Sequence, residues 1–502
     1  MDADVIIVGA GPTGLMLAGE LRLGGVRAVV LERRPEFRET PKASGLGGQI
    51  LDLLHYRGQL EKVTAACSGP IPAPRFPFGG VHVDLSRLPD PPLHALPLAQ
   101  AQLERLLDER ARELGADVRR GHEVIAVVQD DATVTADVRG PDGPYQVTAH
   151  YVVGCDGPRS RIRDLAGIAF PGTSYPEVNR LGMVTLPDEV TVLDSGDLEV
   201  AGLGRIPAGF TRTERGVFAF GAMAKGELSV FTTEDDLTDY DDDVPMTLEE
   251  FQGSIRRVLG VDLPLGEPRR LSRFTFHARQ AEQYGKGRIF LAGDAAHLFP
   301  ATGVAINAGT LDAVNLAWKL AAAVNGWAPA DLLDTYHAER HLAGARTLRH
   351  TQAQVALRRG LDPAADALRE VFEELLTDEQ PARRIGAMIA GTDIRYPVAG
   401  ADPLLGTFVP DLTLLTEQGT ISVAELMRTA RPVFLDLADR ADLREIAQPW
   451  EGRVDIHTAK TEDRPADALL IRPDACIVWT ASTDGPTLQE ALTTWFGQPS
   501  LH

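Results

Sequence analysis

Residues 4–32, DVIIVGAGPTGLMLAGELRLGGVRAVVLE, decide the fold of the N-terminal part of the chain. A short apolar strand leads into three glycines, Gly9, Gly11 and Gly14, and then into a helical segment. In such a turn the first glycine permits the bend, the second lets backbone approach a pyrophosphate, and the third lets helix and strand pack closely. Glu32 ends the second apolar run, where it can accept hydrogen bonds from a ribose. The pattern predicts a bound dinucleotide; the alternative is a glycine-rich turn without a ligand.

Composition argues against several classes of partner. The net charge of −21 over 502 residues opposes binding to nucleic acid or to an anionic membrane through long-range repulsion. No apolar run approaches the roughly 20 residues that a membrane-spanning helix needs. The three cysteines, Cys67, Cys155 and Cys476, lie far apart, and no Cys or His cluster has zinc-ligand spacing. We expect a cytoplasmic protein of two or three domains with no metal, no nucleic-acid partner and no membrane partner.

The alternation of strand and helix patterns predicts an α/β protein whose Rossmann-like dinucleotide-binding domain is interrupted by an inserted β-sheet. Residues 1–170 and 277–395 are assigned to the nucleotide-binding domain with a helical extension. Residues 171–276 are rich in strand patterns and turns, and we assign them to a substrate-binding β-sheet domain. A Pro- and Gly-containing stretch at residues 398–410 marks a boundary. Residues 400–502 are expected to form a small α/β domain.

Two further segments narrow the choice of dinucleotide. The first, GCDGPRSRIR at residues 154–163, places Asp156 in a D-G-x-x-S-x-x-R pattern after an apolar strand. The ordinary alternative is a polar turn capped by Ser160. The second, GRIFLAGDAAHLFPATGVAIN at residues 287–307, delivers Asp294 into a turn, where an aspartate alone is often a helix cap. Three such segments at these separations favour FAD, and they count against a plain NAD-dependent dehydrogenase.

With these motifs the chain resembles the class A flavoprotein monooxygenases of the para-hydroxybenzoate hydroxylase type. It is most similar to the three-domain aromatic hydroxylases that tailor polyketides. The resemblance spans nearly the whole chain, through GAGPTG, GCDGPRSRIR, GRIFLAGDAAH, DAVNLAWKL, LLDTYHAERH, DIRYP and LIRPDACIVW. In that family the first motif binds the ADP half of FAD, and the G-D motif contacts the ribityl chain and pyrophosphate. The resemblance also implies that the C-terminal domain is thioredoxin-like, although it has no CxxC pair.

The residues that bind FAD are carried over from the family position by position. Lys42 lies where the family often has a basic residue, and no catalytic residue is assigned. The set that the resemblance implies is Gly9, Gly11, Pro12, Thr13, Gly14, Glu32, Arg33, Lys42, Gln100, Asp156, Asp294, Pro300, Gly303, Val304, Ala305, Ile306 and Asn307.

The resemblance implies a reaction as well. NAD(P)H would act as a transient reductant of FAD, and the reduced flavin would capture dioxygen as a flavin hydroperoxide that oxygenates an electron-rich ring. The size of the inserted sheet favours a polycyclic aromatic polyketide as the substrate, and we expect a monomer or homodimer. No general acid or base is assigned, because His82, His94, His277 and His297 each have an ordinary alternative as surface or core histidines.

The loop of residues 301–307, ATGVAIN, departs from the family pattern Ala-Gly-Gly-Gln-Gly-(Leu or Met)-Asn. Val304 lacks the usual polar amide, and Ala305 adds a methyl group where a left-handed backbone would be strained. We favour neutral drift with hydroxylation intact. The alternatives are Baeyer–Villiger insertion or another atypical flavin oxidation, or an accessory protein that binds flavin or ligand with little oxygenase activity.

Overall fold

The computed structural model describes residues 1–37, 45–67, 75–222, 226–236, 238, 240, 244–301, 303–481 and 485–499. Lys42 and Thr302 therefore lie outside the described residues. The elements of the first part are β1 (Val5–Val8), α1 (Pro12–Leu23), β2 (Ala28–Glu32), β3 (Leu46–Gly47), α2 (Ile50–Tyr56), α3 (Leu60–Ala65), β4 (Arg75–Phe78), β5 (Val81–Asp84), β6 (Ala95–Leu96), α4 (Gln100–Glu113), β7 (Asp117–Arg120), β8 (Glu123–Gln129), β9 (Val134–Gly140), β10 (Gly143–Ala149), β11 (Tyr151–Gly154) and α5 (Arg161–Leu165).

The middle of the chain adds mainly antiparallel strands and then four long helices. Its elements are β12 (Gly172–Thr185), β13 (Val190–Val192), β14 (Leu198–Val200), β15 (Gly204–Ile206), β16 (Gly209–Thr213), β17 (Gly216–Ala222), β18 (Glu227–Asp235), α6 (Leu248–Leu259), β19 (Pro268–Gln280), β20 (Gly285–Lys286), β21 (Ile289–Leu291), a 3₁₀ helix (Gly293–Ala295), β22 (His297–Leu298), α7 (Ala305–Val324), α8 (Asp334–Arg359), α9 (Pro363–Leu375) and α10 (Glu379–Ala390).

A six-stranded sheet, in the order β20-β21-β11-β1-β2-β7, organises the nucleotide-binding part. Strands β21, β11, β1, β2 and β7 run parallel, and only β20 pairs antiparallel. All four residues of β1 are buried, as expected for an apolar strand at the centre of a parallel sheet. The α/β fold class predicted from the sequence is confirmed.

The inserted region forms a second six-stranded sheet, in the order β16-β17-β18-β12-β19-β22, in which all pairs are antiparallel. We call it the large sheet. Helix α6 covers one of its faces, and the sequence analysis missed this helix because it treated the region as strands and turns. Phe251, Ile255 and Val258 provide the buried face of α6 at helical spacing, and the Thr247 side chain caps its first turn. Strand β19 runs to Gln280, past the predicted domain boundary at residue 276.

The last part of the chain is a small unit that we call the C-terminal module. It consists of β23 (Thr413–Thr416), β24 (Gly419–Ser422), α11 (Val423–Leu426), β25 (Val433–Asp436), α12 (Ala441–Ala447), β26 (Asp455–Thr458), β27 (Ala468–Ile471), β28 (Ile477–Thr480) and α13 (Leu488–Phe496). Its main sheet has the order β26-β25-β27-β28, with β26 parallel to β25 and the other pairs antiparallel. Within the described ranges, none of the helices combines the length and apolarity needed to cross a bilayer.

Candidate FAD site

The turn after β1 and the first turn of α1 contain three glycines with different surroundings. Gly9 has a φ of +104°, and a Cβ there would lie 2.4 Å from the carbonyl oxygen of Cys155. A Cβ on Gly14 would lie 2.0 Å from the carbonyl oxygen of Gly9. A Cβ on Gly11 would meet no atom within 4 Å, so this residue faces open space just before Pro12 begins α1. Two of the glycines are required for packing, and the third leaves room for a pyrophosphate beside the unpaired N–H groups of the helix.

Two backbone N–H groups hold the Glu32 carboxylate at the end of β2. Ala10 donates to Oε2 and Arg34 donates to Oε1, both at 2.9 Å, and the side chain is half-buried. Each oxygen can accept a second hydrogen bond, so the carboxylate fits a ribose diol. The Arg33 side chain is exposed. Gln100 Nε2 donates to the carboxylate of Glu104, one turn further along α4, at 2.8 Å. FAD contacts of these residues stay predictions.

Thr13 joins the first glycine turn to the turn that carries Asp294. A Cβ on Gly293 would lie 2.7 Å from Thr13 Oγ1, and a Cβ on Gly309 of α7 would lie 2.4 Å from the same oxygen. The Thr13 side chain therefore occupies a gap that exists only because both neighbours are glycines. Asp294, the middle residue of the 3₁₀ helix, is half-buried beside this contact. Segments that are far apart in the sequence thus meet where FAD is expected to bind.

A fully buried aspartate, Asp312 on α7, holds the Asp294 turn through a hydrogen bond to its backbone. Its Oδ2 accepts the Gly293 N–H at 3.0 Å and lies 2.6 Å from His297 Nε2, while its Oδ1 accepts from Arg340 Nε at 2.7 Å. Burial opposes ionisation of this carboxyl, but the His297 and Arg340 charges and hydrogen bonds outweigh it and hold the pKa of Asp312 below its ordinary value. Arg340 also donates to the Tyr396 hydroxyl at 2.8 Å. The contact between His297 and Asp312 therefore helps to hold the Asp294 turn in place.

Asp156 has a capping role that the sequence analysis did not assign to its carboxylate. Its oxygens accept the Ser160 hydroxyl at 2.5 Å and the Ile162 N–H at 3.1 Å, at the start of α5. Burial raises the pKa of Asp156. From the same helix, Arg163 donates to the carbonyl oxygen of Ala295 at 3.2 Å, which links the D-G and G-D segments. Binding of FAD by Asp156 stays a prediction.

The 301–307 loop does not require a left-handed backbone at Ala305, the condition under which the sequence analysis found strain. Gly303 has a φ of +85°, but Ala305 is the first residue of α7 and has a helical backbone. Val304 has a φ of −111° and is only 2% exposed, because it packs with Phe299 and Ala308 in a small apolar cluster. The strain that a left-handed backbone would impose on Ala305 therefore does not arise, since the only left-handed residue among those described in this loop is a glycine.

Asn307 fastens the start of α7 to two distant segments. Its Oδ1 accepts the Ile50 N–H at 2.8 Å, and its Nδ2 donates to the carbonyl oxygen of Ala390 at 3.1 Å. Pro300, which precedes the loop, is buried, and Ile306 within the loop is half-buried. The Asn307 side chain therefore positions the loop, and contact of the loop with the flavin stays a prediction.

The face of the large sheet that α6 leaves uncovered carries half-buried aromatic and aliphatic side chains. A Cβ on Gly182 would lie 2.2 Å from the Phe251 ring of α6, so the neighbouring Leu181 points to the opposite face. Directly paired residues share a face. We call the resulting set the cross-sheet row, and it consists of Phe210, Ala219, Phe231, Leu181 and Ser272 on β16, β17, β18, β12 and β19.

The β4–β5 hairpin connects this face of the large sheet to the 301–307 loop. A Cβ on Gly303 would lie 3.8 Å from the Phe76 ring of β4. At the tip of the hairpin, a Cβ on Gly80 would lie 3.5 Å from the Phe210 ring. The start of α7, the hairpin and the cross-sheet row are therefore neighbours, as a site requires when a flavin and an aromatic substrate must meet.

Sequence reasoning missed Asp312 and Arg340, which hold the Asp294 turn although they lie outside the segment that contains it. A signal was present: Asp312, Asn315 and Lys319 interrupt an otherwise apolar helical segment at spacings of three and four residues. Polar groups at that spacing share one helix face. On a buried helix they must find partners inside the protein, which the structure shows that they do.

Comparisons with known proteins agree with this site. Residues 2–351 match the FAD binding domain family, and residues 402–499 match the aromatic-ring hydroxylase C-terminal family. The chain is 42% identical to the 12-dehydrotetracycline 5-monooxygenase/anhydrotetracycline 6-monooxygenase of Streptomyces rimosus, with 100% of both chains covered. Two solved structures are similar over 100% of both chains: the anhydrotetracycline hydroxylase OxyS from Streptomyces rimosus (40% identity, TM-score 0.88) and CabE, an aromatic hydroxylase from angucycline biosynthesis (38% identity, TM-score 0.89). The chain therefore belongs to the FAD-dependent aromatic-ring hydroxylases and is a flavin-dependent monooxygenase.

Proposed function

We propose that this monooxygenase consumes NAD(P)H and transfers one oxygen atom of O2, carried as a flavin hydroperoxide, to a polycyclic aromatic polyketide. The observation that carries the proposal is the convergence at Thr13 of the Gly9–Gly14 turn, the Asp294 turn and α7, with the cross-sheet row close by. Bound FAD supplies the redox chemistry and the reaction with oxygen, and the protein positions it and keeps water away.

The residues of the site have distinct tasks in this proposal. The open space at Gly11 accommodates the pyrophosphate at the start of α1, and Glu32 accepts the ribose hydroxyls. The Asp294 carboxylate accepts hydrogen bonds from the ribityl chain. The N-terminal end of α7 forms the last part of the 301–307 loop, where its dipole would favour the negative charge of a reduced flavin.

The cross-sheet row supports a substrate with several fused rings. It crosses five strands, so its ends are about 19 Å apart at the usual spacing of about 4.8 Å between strands. Phe210, Phe231 and Leu181 are half-buried, whereas Phe218 and Val230 on the opposite face are fully buried in the core beneath α6. Aromatic rings of this kind offer flat apolar contact area to a planar ligand. The relatives whose names include anhydrotetracycline make that four-ring compound a suitable first probe.

Hydroxylation is favoured over the accessory-protein alternative by the geometry of the 301–307 loop. The alternative rested on the loss of two family glycines, and the structure has an ordinary helical residue at Ala305 and a well-packed side chain at Val304. Nothing in the described part of the loop requires a distorted backbone. The loop substitutions are therefore compatible with an intact oxygenase.

Two variants test the proposed FAD binding and the proposed substrate binding separately. Asp294→Ala should purify with little FAD, since a carboxylate is lost at the ribityl chain. Phe231→Ala should keep its FAD but bind anhydrotetracycline more weakly, measured as a rise in the concentration needed to accelerate anaerobic flavin reduction by NADPH or NADH. Full flavin content in Asp294→Ala would contradict the first assignment. Unchanged anhydrotetracycline dependence in Phe231→Ala would contradict the second, and a failure of both nicotinamides to reduce the flavin would contradict the proposed reductant.

A further inference from the structure

A buried ion cluster ties the C-terminal module to the two helices that support the FAD site. Arg472, at the end of β27, donates to both oxygens of Glu339 on α8, at 2.6 and 2.9 Å. Arg472 also binds Asp474, and Lys319 of α7 donates to Glu339 at 2.8 Å. All four charged side chains are at most 4% exposed. The cluster contains two cations and two carboxylates, so its charges balance, and the module contributes one of each, Arg472 and Asp474.

Asn315 places α7 in the same cluster. Its Nδ2 donates to Glu339 at 2.7 Å and to Asp474 at 2.9 Å, and its Oδ1 accepts from Lys319 at 2.8 Å. The side chain is 1% exposed. Both hydrogen-bonding ends of one amide are therefore used to join α7, α8 and the C-terminal module.

The cluster adjoins the group that holds the Asp294 turn. Glu339 precedes Arg340 on α8, and Arg340 binds Asp312, which accepts the Gly293 N–H. Tyr396 links the two arginines directly, because its hydroxyl accepts from Arg340 and its ring centroid lies 5.5 Å from the Arg472 guanidinium. A continuous buried path therefore runs from the C-terminal module to the backbone beside Asp294.

The module has a second buried contact with the nucleotide-binding part. Arg57, which follows α2, is paired with Glu20 of α1 and donates to the carbonyl oxygens of Met427 and Pro473 at 2.8 and 2.7 Å. Arg57 and Glu20 are at most 3% exposed. Pro473 lies between Arg472 and Asp474, so Arg57 contacts the same bend between β27 and β28 that carries Arg472.

We propose that the C-terminal module is a built-in part of the FAD site, and that Arg472 is a positioning residue which fixes Glu339, Arg340 and Asp312 and thereby the turn that carries Asp294. The inference rests on FAD binding and not on oxygen transfer. It predicts that FAD affinity depends on side chains of the C-terminal module that do not themselves approach FAD.

The test measures FAD affinity in full-length variants with and without charge balance. Arg472→Gln alone leaves excess negative charge in the core and can prevent folding. The double variant Glu339→Gln/Arg472→Gln keeps one cation and one carboxylate, Lys319 and Asp474, and is expected to fold. We expect its FAD dissociation constant, measured by flavin fluorescence on titration of the apoprotein, to rise at least tenfold. We expect a similar rise for Asp312→Asn and a smaller rise for Arg472→Lys, which keeps the positive charge.

A matched control separates this effect from general weakening of the module. Arg431 and Asp455 form an ion pair within the module, at 2.8 Å and partly exposed. Arg431→Gln/Asp455→Asn should leave FAD affinity within twofold of the wild-type value. If the Glu339→Gln/Arg472→Gln protein is folded by circular dichroism and binds FAD like the wild type while Asp312→Asn binds it weakly, the module does not position the site. If Asp312→Asn also binds FAD normally, the whole path is wrong. Neither circular dichroism nor the FAD titration requires substrate or oxygen.

Discussion

The Gly9–Gly14 turn and the 301–307 loop both border the expected flavin site, but they hold their shapes by different means. The first turn depends on contacts between backbone atoms, because side chains at positions 9 and 14 would overlap carbonyl oxygens at 2.4 and 2.0 Å. The second depends on side chains: Val304 fills an apolar cluster and Asn307 binds two distant backbone groups. A turn fixed by its backbone admits little substitution, whereas a loop held by side chains can change sequence and keep its position.

The largest effect is expected at the first turn. Gly14→Ala places a methyl group 2.0 Å from the Gly9 carbonyl oxygen. Relief of this overlap requires α1 to move away from β1, which disrupts the packing of the helix on the sheet. We expect a loss of about 3 kcal/mol or more in the free energy of unfolding, together with loss of bound FAD. Chemical denaturation and flavin absorbance measure the two effects.

Gly11→Ala is the matched control within the same turn. Its new methyl group meets no protein atom within 4 Å, so the unfolding free energy of the apoprotein should stay close to that of the wild type. It occupies the space assigned to the pyrophosphate, so FAD binding should still be lost. A Gly11→Ala protein with full flavin content would show that this space is not where the pyrophosphate lies.

A buried histidine beside the 301–307 loop should make the stability of the protein sensitive to acid. His350 lines a small cavity with Val304, is 5% exposed and has no hydrogen-bond partner for Nε2 within the part of the chain that the structure describes. Burial lowers the pKa of His350 to about 4. Asp393 opposes this shift and Arg346 adds to it, and both effects are smaller than that of burial. The unfolded chain protonates this histidine near pH 6.5, so stability is lost as the pH falls from 6.5 towards 4. The loss from this group should be at most about 3 kcal/mol.

His350→Phe removes the titrating group and keeps a ring near Phe78, whose centroid lies 6.4 Å from that of His350. The stability of this variant should therefore fall less steeply between pH 6.5 and 4 in denaturation experiments. His94→Gln, at an exposed position, should keep the wild-type slope. Equal slopes for all three proteins would show that His350 is not kept neutral by burial.

The smallest effect is expected at Ala305. Ala305→Gly restores the glycine that the family pattern has at this position, but the residue is the first of α7 and already helical. We expect a loss of stability below about 1 kcal/mol, because glycine has more conformational freedom in the unfolded chain. The rate of flavin reoxidation should not change. A several-fold change in that rate would mean that the methyl group of Ala305 contacts the flavin.

The sequence was sufficient for the parts of the site that are governed by local sterics. The glycine spacing at Gly9–Gly14 has few structural solutions, and the strand before Asp294 is apolar throughout, so both turns could be located. Helix α6 was missed because strand patterns dominate the inserted region around it. The sequence left open whether Ala305 needs a left-handed backbone, because the position where α7 begins could not be located from composition alone.

The remaining features depend on partners that are distant in the sequence. Asn307 binds Ile50, 257 residues away, and Arg472 binds Glu339 across 133 residues. A single sequence shows that these polar residues lie in apolar surroundings, but not which partner satisfies each one. Asp156 illustrates the converse, since its motif was recognised while its contacts with the start of α5 were not.

Oxygen-18 labelling tests the central claim, that this chain is a monooxygenase, most directly. The wild-type protein is supplied with NADPH or NADH, 18O2 and a four-ring aromatic acceptor, and the products are analysed by mass spectrometry. We predict a product that has gained one 18O atom, with consumption of one nicotinamide for each product formed. A product without label, or nicotinamide oxidation that yields only hydrogen peroxide across a panel of multi-ring phenols, would contradict the claim and support an accessory role.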